Sequence, residues 1–410
     1  MLHPMTAGRG IAPALGVVTI VSLIVTAVFL VSSSAPPSLA QTASSTSNQP
    51  GQSPCSYYVY KTGADYYAQN CSTDLIAYGG PSNTGGATGA SFVSVMNHLV
   101  SASDIQIVLA AGTFTASGSI QETGTGVTIT GAGMESTIVK VGSTSPAFTV
   151  TGTNVQFSYF AINSGVKTNT GDAIDVNSGQ GIAIDHMMFG GYGGGPEALY
   201  GNGVVIIHGF HQTITNSIFE VIVNHDAIVY GGVASGPEGL EVIGNDFSDV
   251  NGSAMIDVAP YSGFVTIDGN TLDTGLVGIE LSNQARIGVV NNEISAMQKY
   301  AVQGSPVNSV ISDNRFNDDG IATNPGQGAY YYFLYFPGGN SVAVTANSFY
   351  TDPGQPEANY FVLIGSGGTF ANSTITDNAF GSPPQTASGQ AIQMGSSVVS
   401  VLIVDNQGGN

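Results

Sequence analysis

One phrase recurs through the C-terminal half of the chain and limits its fold more than any other feature. It reads LEVIGNDF at Leu240–Phe247, VTIDGNTL at Val265–Leu272, IGVVNNEI at Ile287–Ile294, SVISDNRF at Ser309–Phe316, VAVTANSF at Val342–Phe349 and STITDNAF at Ser373–Phe380. It fades at VLIVDN, Val401–Asn406, and weaker copies stand upstream at Ile182–Phe189 and Gln212–Phe219. Each copy is an alternating strand, then Asn, then any residue, then a large apolar one. The asparagines Asn245, Asn270, Asn292, Asn314, Asn347, Asn378 and Asn406 are 22 to 33 residues apart, a spacing that marks stacked repeats. About half a period away lies a second short strand: DAIDV from Asp172, DAIVY from Asp226, AMIDV from Ala254, VGIEL from Val277, YAVQG from Tyr300, YFVLI from Tyr360 and QAIQM from Gln390. The helical stretches that an α/β alternation needs between strands are missing. The chain is therefore expected to coil into parallel sheets, each coil burying its apolar residues against the next. The recurring asparagine suits the corner. Its amide can bond the turn backbone and the asparagine of the next coil, and Asn tolerates the left-handed conformation of a sharp turn.

Composition narrows the function classes. Only 8% of the 410 residues are charged, with 27 acids against 7 bases and a net charge of -20. Nucleic-acid binding is driven by Lys and Arg neutralising phosphates, so a nucleic-acid partner is excluded, and a grip on anionic lipid is disfavoured for the same reason. With 42% hydrophobic residues the chain is too apolar to remain disordered.

The front of the chain reads as an address. Ala14–Val31 is an almost unbroken apolar run behind Arg9, and small residues at Ser38 and Ala40 suit cleavage after Ala40. The run is longer than a usual signal core and long enough to span a bilayer, so two outcomes stay open: a cleaved signal peptide or a retained anchor. Both place the bulk of the chain in a secreted or cell-surface location, with membrane contact only through this segment if uncleaved. Gln41–Pro54 reads as a flexible spacer. The only cysteines, Cys55 and Cys71, lie in the exported part, where a disulfide stapling the N-terminal segment is expected. The expected division is 1–40 export segment, 41–85 linker and stapled segment, and 86–410 repeat domain.

The repeat pattern from Gly86 onward resembles the right-handed parallel β-helix of the pectin-lyase-like superfamily. Thr88–Phe114 is similar to the capping helix and first strand of that family, and Val127–Val141 to its opening coil. The resemblance implies an all-β solenoid of about ten coils with a short N-terminal capping helix. It implies little about activity, because the superfamily hosts lyases, hydrolases, epimerases, adhesins and tailspikes.

On the outward column of the half-period strands alternation leaves Asp175, Asp257, Glu280, Gln303 and Gln393. Asp257 and Glu280 are expected on adjacent coils. Two carboxylates that close repel, which raises one pKa and leaves a proton donor beside an ionised partner, the pairing that glycoside hydrolysis requires. The alternative is a solvated acidic ladder, or one holding a calcium ion. Asn224-His225-Asp226 is similar to the Asn-x-Asp motif of polygalacturonases, which makes His225 and Asp226 further candidates. That family's Asp pair should follow one coil later; here the only pair, Asp318-Asp319, comes about four coils on, its other elements are missing downstream, and Asp226 reads equally well as a turn residue. Pectate-type lyases need cations near the substrate, and only Arg286, Lys299 and Arg315 lie in the central coils, which disfavours elimination on a polyuronate. His208, His211 and His225 lie close in sequence and form a weak candidate metal or acid/base group, the alternative being simple surface or turn positions. The run Tyr330–Phe336 is expected to leave about three rings on the outer face, with Tyr330, Tyr332 and Tyr335 as sugar-stacking candidates; the alternative is that a loop or a neighbouring coil covers them. The reading is a protein that binds, and as an enzyme hydrolyses, extracellular polysaccharide; the alternative is a non-catalytic adhesive or structural envelope component.

Overall fold

The computed structural model describes residues 55–80, 90–191, 197–231, 238–260, 263–281, 286–317, 332–351, 360–381 and 391–408. The export segment, the spacer, Asp318-Asp319, Tyr330 and Tyr331 lie outside them.

The described strands form two large sheets that the chain visits alternately. The first has fifteen strands: an antiparallel meander of Tyr57–Thr62, Asp65–Asn70 and Ile76–Gly79, then twelve parallel strands from Gln106–Leu109 to Val398–Val404. Those twelve rungs exceed the ten coils expected from the repeat, because the upstream copies Thr128–Thr130 and Gln156–Ser158 lack the asparagine phrase that made later coils legible. The second sheet has twenty strands, as each coil adds one strand after the asparagine corner and another half a period later. In two coils they fuse into single runs, Thr271–Leu281 and Glu293–Gly304.

The N-terminal end is closed by more than a helix. Helix Phe92–Leu99 starts at Ser91, whose side chain accepts from the Ser94 N–H. It buries Phe92, Val95, Met96 and Leu99, the i, i+3, i+4, i+7 stripe of an amphipathic helix, against the first coil. The meander joins the parallel sheet through Tyr57–Thr62 and Gln106–Leu109, so the sheet extends upstream of residue 86 into the segment expected to be stapled by the disulfide. Cys55 and Cys71 are disulfide-bonded across its base.

Equivalent residues of successive coils stack. Phe189, Phe219, Phe247, Leu272, Ile294, Phe316, Phe349 and Phe380 form one buried column in register. Ring centroids along Phe189, Phe219 and Phe247 are 4.6 and 4.7 Å apart, the spacing of neighbouring strands. A second column, the asparagines, turns the corner between the sheets. From Asn270 to Asn406, each Oδ1 accepts from the backbone N–H and Nδ2 of the preceding asparagine at 2.9–3.1 Å, while the amides of Asn245 to Asn406 reach back to strand carbonyls such as Val242 and Ile267. Ser217 continues the ladder one coil upstream. The left-handed conformation falls one residue earlier than expected, on Gly244, Gly269, Asn291, Asp313, Ala346, Asp377 and Asp405. The ladder asparagines are thereby free to point inward, where Asn245 to Asn378 are buried and Asn406 of the last coil is half-buried.

Candidate functional site

The half-period strands carry an outward column whose register is fixed by strand pairing. It runs Gln121, Thr149, Asp175, Val205, Val229, Asp257, Glu280, Gln303, Tyr335, Leu363, Gln393. The inward neighbours Ile256, Val258, Ile279 and Leu281 are buried, which holds both acids outward. Asp257 pairs directly with Glu280, and Glu280 with Gln303, as alternation predicts. Asp175 lies apart from them, three rungs away across Val205 and Val229.

Asp257 has an unusual environment for a carboxylate. Burial, then the charge of Asp226, then that of Glu280, push its pKa from 3.8 up to about 7. Below neutral pH it is therefore mostly protonated, one rung from a second carboxylate. Gln303 Nε2 donates to Glu280 Oε2 at 2.7 Å and fixes that side chain from the following coil.

Asp226 enters the site differently from expectation. It is buried, Ser253 Oγ donates to both of its oxygens at 2.9 and 3.1 Å, and the Ala254 N–H donates to Oδ1 at 3.0 Å. Its own N–H donates to Asn202 Oδ1, and Asn202 in turn donates from N and Nδ2 to Asp172 Oδ1. Asp172, Asn202, Asp226 and Ser253 thus form a polar ladder along the turn entering these strands. With both oxygens engaged, Asp226 acts on Asp257 through its charge and is poorly placed as the proton donor itself. His225 stands half-exposed in the same turn. His211 lies at the far sheet, in strand Phe210–Thr215, and among the described residues no group of three His, Cys, Asp or Glu side chains is placed to hold a metal ion. The calcium alternative therefore gains no ligand set from these residues.

The aromatic run differs most from its sequence reading. Tyr332 is only 4% exposed, and Phe333, Leu334 and Phe336 are buried, so among the described residues of the run only Tyr335 reaches the surface. Strict alternation fails because Phe333 packs on Phe349 and Phe361 while the next residue, Leu334, joins the inward rung of Val302 and Val362. Tyr332 is covered by Tyr300, Tyr335 and Tyr360, at centroid distances of 6.4, 5.8 and 6.0 Å. Tyr300 stacks on Tyr335 at 4.8 Å, and the pair stands beside Gln303 on the same coils as the acids' neighbours. Tyr300 and Tyr360 were absent from the sequence candidates; both open half-period strands, and that shared position is the signal that points to them.

Two further acidic groups have raised pKa values. Asp175 has its pKa raised by burial and then by Asp172. On the strands that follow the asparagine corner, Glu220 is raised by burial and then by Asp249, Asp246 and Glu197, and Asp246 by burial and Asp273. Their signal was the residue flanking the large apolar position of each repeat, as in N-D-F-S and N-T-L-D.

A family profile described as right handed beta helix region matches residues 202–380. No curated protein matches the sequence. Among solved structures, a mutant tailspike protein of E. coli bacteriophage HK620 in complex with a pentasaccharide aligns at TM-score 0.52 and 12% identity, covering 73% of this chain and 58% of that one. A PL6 alginate lyase in complex with a trisaccharide aligns at TM-score 0.52 and 13% identity, covering 77% and 83%. The catalytic unit of a GH87 alpha-1,3-glucanase from Streptomyces thermodiastaticus aligns at TM-score 0.51 and 13% identity, covering 78% and 66%. This chain thus spans less than two thirds of the tailspike and of the glucanase. At such identities the likeness is one of fold, and it agrees with the stacked parallel sheets. The chain has the right-handed parallel β-helix fold.

Proposed function

We propose that this is an exported protein that binds extracellular polysaccharide and hydrolyses its glycosidic bonds on the outward face of the half-period strands. The observation that carries the reading is Asp257, which retains its proton to about pH 7 while paired in register with Glu280. Asp257 would protonate the leaving oxygen, Glu280 would act on the opposite side of the sugar carbon, and Gln303 would hold Glu280 in place. Tyr335 and Tyr300, adjoining along the same face, would stack on sugar rings. The scarcity of Lys and Arg favours a neutral polymer over a polyuronate. Support for the substrate class comes from structures of similar fold whose names specify saccharide ligands or glycan-cleaving activity. Adjacent rungs are about 4.8 Å apart. That is nearer the roughly 5–5.5 Å carboxyl separation of retaining glycosidases than the roughly 6.5–9.5 Å of inverting ones. The first product is therefore expected to keep the anomeric configuration of the substrate, read by NMR.

The test is incubation with neutral and acidic polysaccharides, with and without calcium, assaying new reducing ends and ultraviolet-absorbing unsaturated ends. Reducing ends that disappear in Asp257→Asn and Glu280→Gln are expected. Unsaturated ends would replace hydrolysis by elimination. A non-catalytic glycan-binding surface is the second reading, favoured by the Gln303 bond that already occupies Glu280 Oε2; it predicts polymer binding without either product.

A further inference from the structure

The other sheet carries a concavity that the acidic ladder does not use. Phe210 and Phe264 are 49% and 58% exposed, and they are the only exposed phenylalanines among the described residues. Every other described phenylalanine is buried in the solenoid, so two on one patch of surface stand against the pattern of the whole molecule. Both line the same groove of about 600 Å3, together with His211, Glu238, Glu241 and Thr266.

The register explains how the groove forms. Phe210 pairs with Glu238 on the next coil, and Phe264 lies on the coil after that, where it pairs with Arg286. The two rings therefore stand on coils two rungs apart, about 10 Å. Gly239 occupies the coil between them with φ +83, a conformation that strains any side-chain-bearing residue, so the floor between the rings stays low. The Arg286 guanidinium sits 5.1 Å from the Phe264 ring centroid and supports that ring from the following coil. Glu238, Glu241, His211 and Thr266 are all exposed along the groove.

We propose that this groove is a second, non-catalytic glycan site that takes a neutral oligosaccharide running across the coils. The phenyl rings offer apolar faces with no polar group of their own, which suits the C–H faces of pyranose rings. Glu238 and Glu241 present paired acceptor oxygens to hydroxyl donors. The same carboxylates, on a chain of net charge -20, repel uronates and sulfated sugars. The separation of the rings selects an oligosaccharide over a single sugar. The choice of ligand class rests on the saccharide reading of the opposite face, but the site is independent of its acids.

Affinity electrophoresis of the full chain through gels containing amylose, dextran, galactomannan or xyloglucan tests this, with alginate and polygalacturonate as anionic comparators. At least one neutral polymer should retard the wild type and Asp257→Asn alike. Phe210→Ala and Phe264→Ala should each weaken that retardation at least tenfold, and Glu241→Gln should weaken it measurably. Both rings are exposed, so the unfolding midpoints of the phenylalanine variants should match the wild type. Retardation unchanged in both phenylalanine variants overturns the proposal, as does no retardation by any neutral polymer or equal retardation by the anionic ones. Retardation lost in Asp257→Asn alone would leave the acidic ladder as the binding face and remove this groove. Phenylalanine-dependent retardation without released reducing ends would keep this site and remove the hydrolase reading.

Discussion

Asp257→Asn separates the electrostatics of the ladder from its chemistry, and both can be read in one variant. In the folded protein the Asp257 carboxyl titrates near 7, raised from 3.8 first by burial and then by Asp226 and Glu280. At pH 6 about nine-tenths of the molecules then carry the proton, roughly a hundredfold more than an ordinary Asp would retain. Proton-donor activity should accordingly hold below neutrality and fall as pH rises through about 7. The same shift has a stability consequence with a definite sign. The unfolded chain releases this proton near pH 4 and the folded protein keeps it to about 7, so stability is lost across that interval and the loss is complete above it. Three pKa units correspond to about 4 kcal/mol, and the partial exposure of Asp257 brings the expected effect to about 2–4 kcal/mol. Asn is neutral throughout and lacks this term. Urea midpoints measured from pH 4 to 8 should show Asp257→Asn gaining on the wild type as pH rises from 4 to 7, then running parallel to it. Because burial outweighs Glu280 as a cause, Glu280→Gln should keep most of the wild-type slope. A difference between wild type and Asp257→Asn that is constant with pH would refute the assignment of a raised pKa, and with it the basis for Asp257 as proton donor.

Glu122 offers a parallel test far from the site: it points into the core with no exposed surface, and burial raises its pKa from 4.5 to about 7 against the opposing N–H groups of Gly124 and Gly152. Glu122→Gln should gain about 3 kcal/mol on the wild type between pH 4.5 and 7 in urea unfolding, an interval set by the two pKa values. Asn292→Ala removes the side chain at the middle of the buried ladder and leaves the Asn270 N–H without its acceptor, which should cost about 3 kcal/mol, whereas Asn406→Ala in the half-buried last coil should cost about 1. Equal losses in the two asparagine variants, measured by denaturant unfolding, would show that the ladder is not the buried network described.

Much of the fold was legible because a solenoid writes its register into the sequence once per coil. The asparagine phrase located the corners, alternation in AMIDV and VGIEL located the inward residues, and stacking then placed Asp257 beside Glu280. Legibility ended where a position depends on something other than its own repeat. Val205 and Val229 separate Asp175 from the other acids, and no local pattern in DAIDV reveals what two intervening coils contribute. Tyr332 follows the alternation that should expose it, yet neighbouring coils supply Tyr300 and Tyr360 to cover it. Asp226 looked like a free acid or a plain turn residue; it is a buried turn acid whose charge acts on a neighbour through space.

The sequence by itself determined the stacked parallel architecture, the corner asparagines and the facing of Asp257 and Glu280, since each follows from periodicity and side-chain direction, whereas the capping helix was implied by the family resemblance. Only the tertiary structure decided which carboxyl holds its proton, which oxygens are already bonded, which tyrosines remain open and where two phenylalanines flank a glycine floor. Those properties depend on burial and on charges contributed from other coils, and both exist only once the coils are stacked.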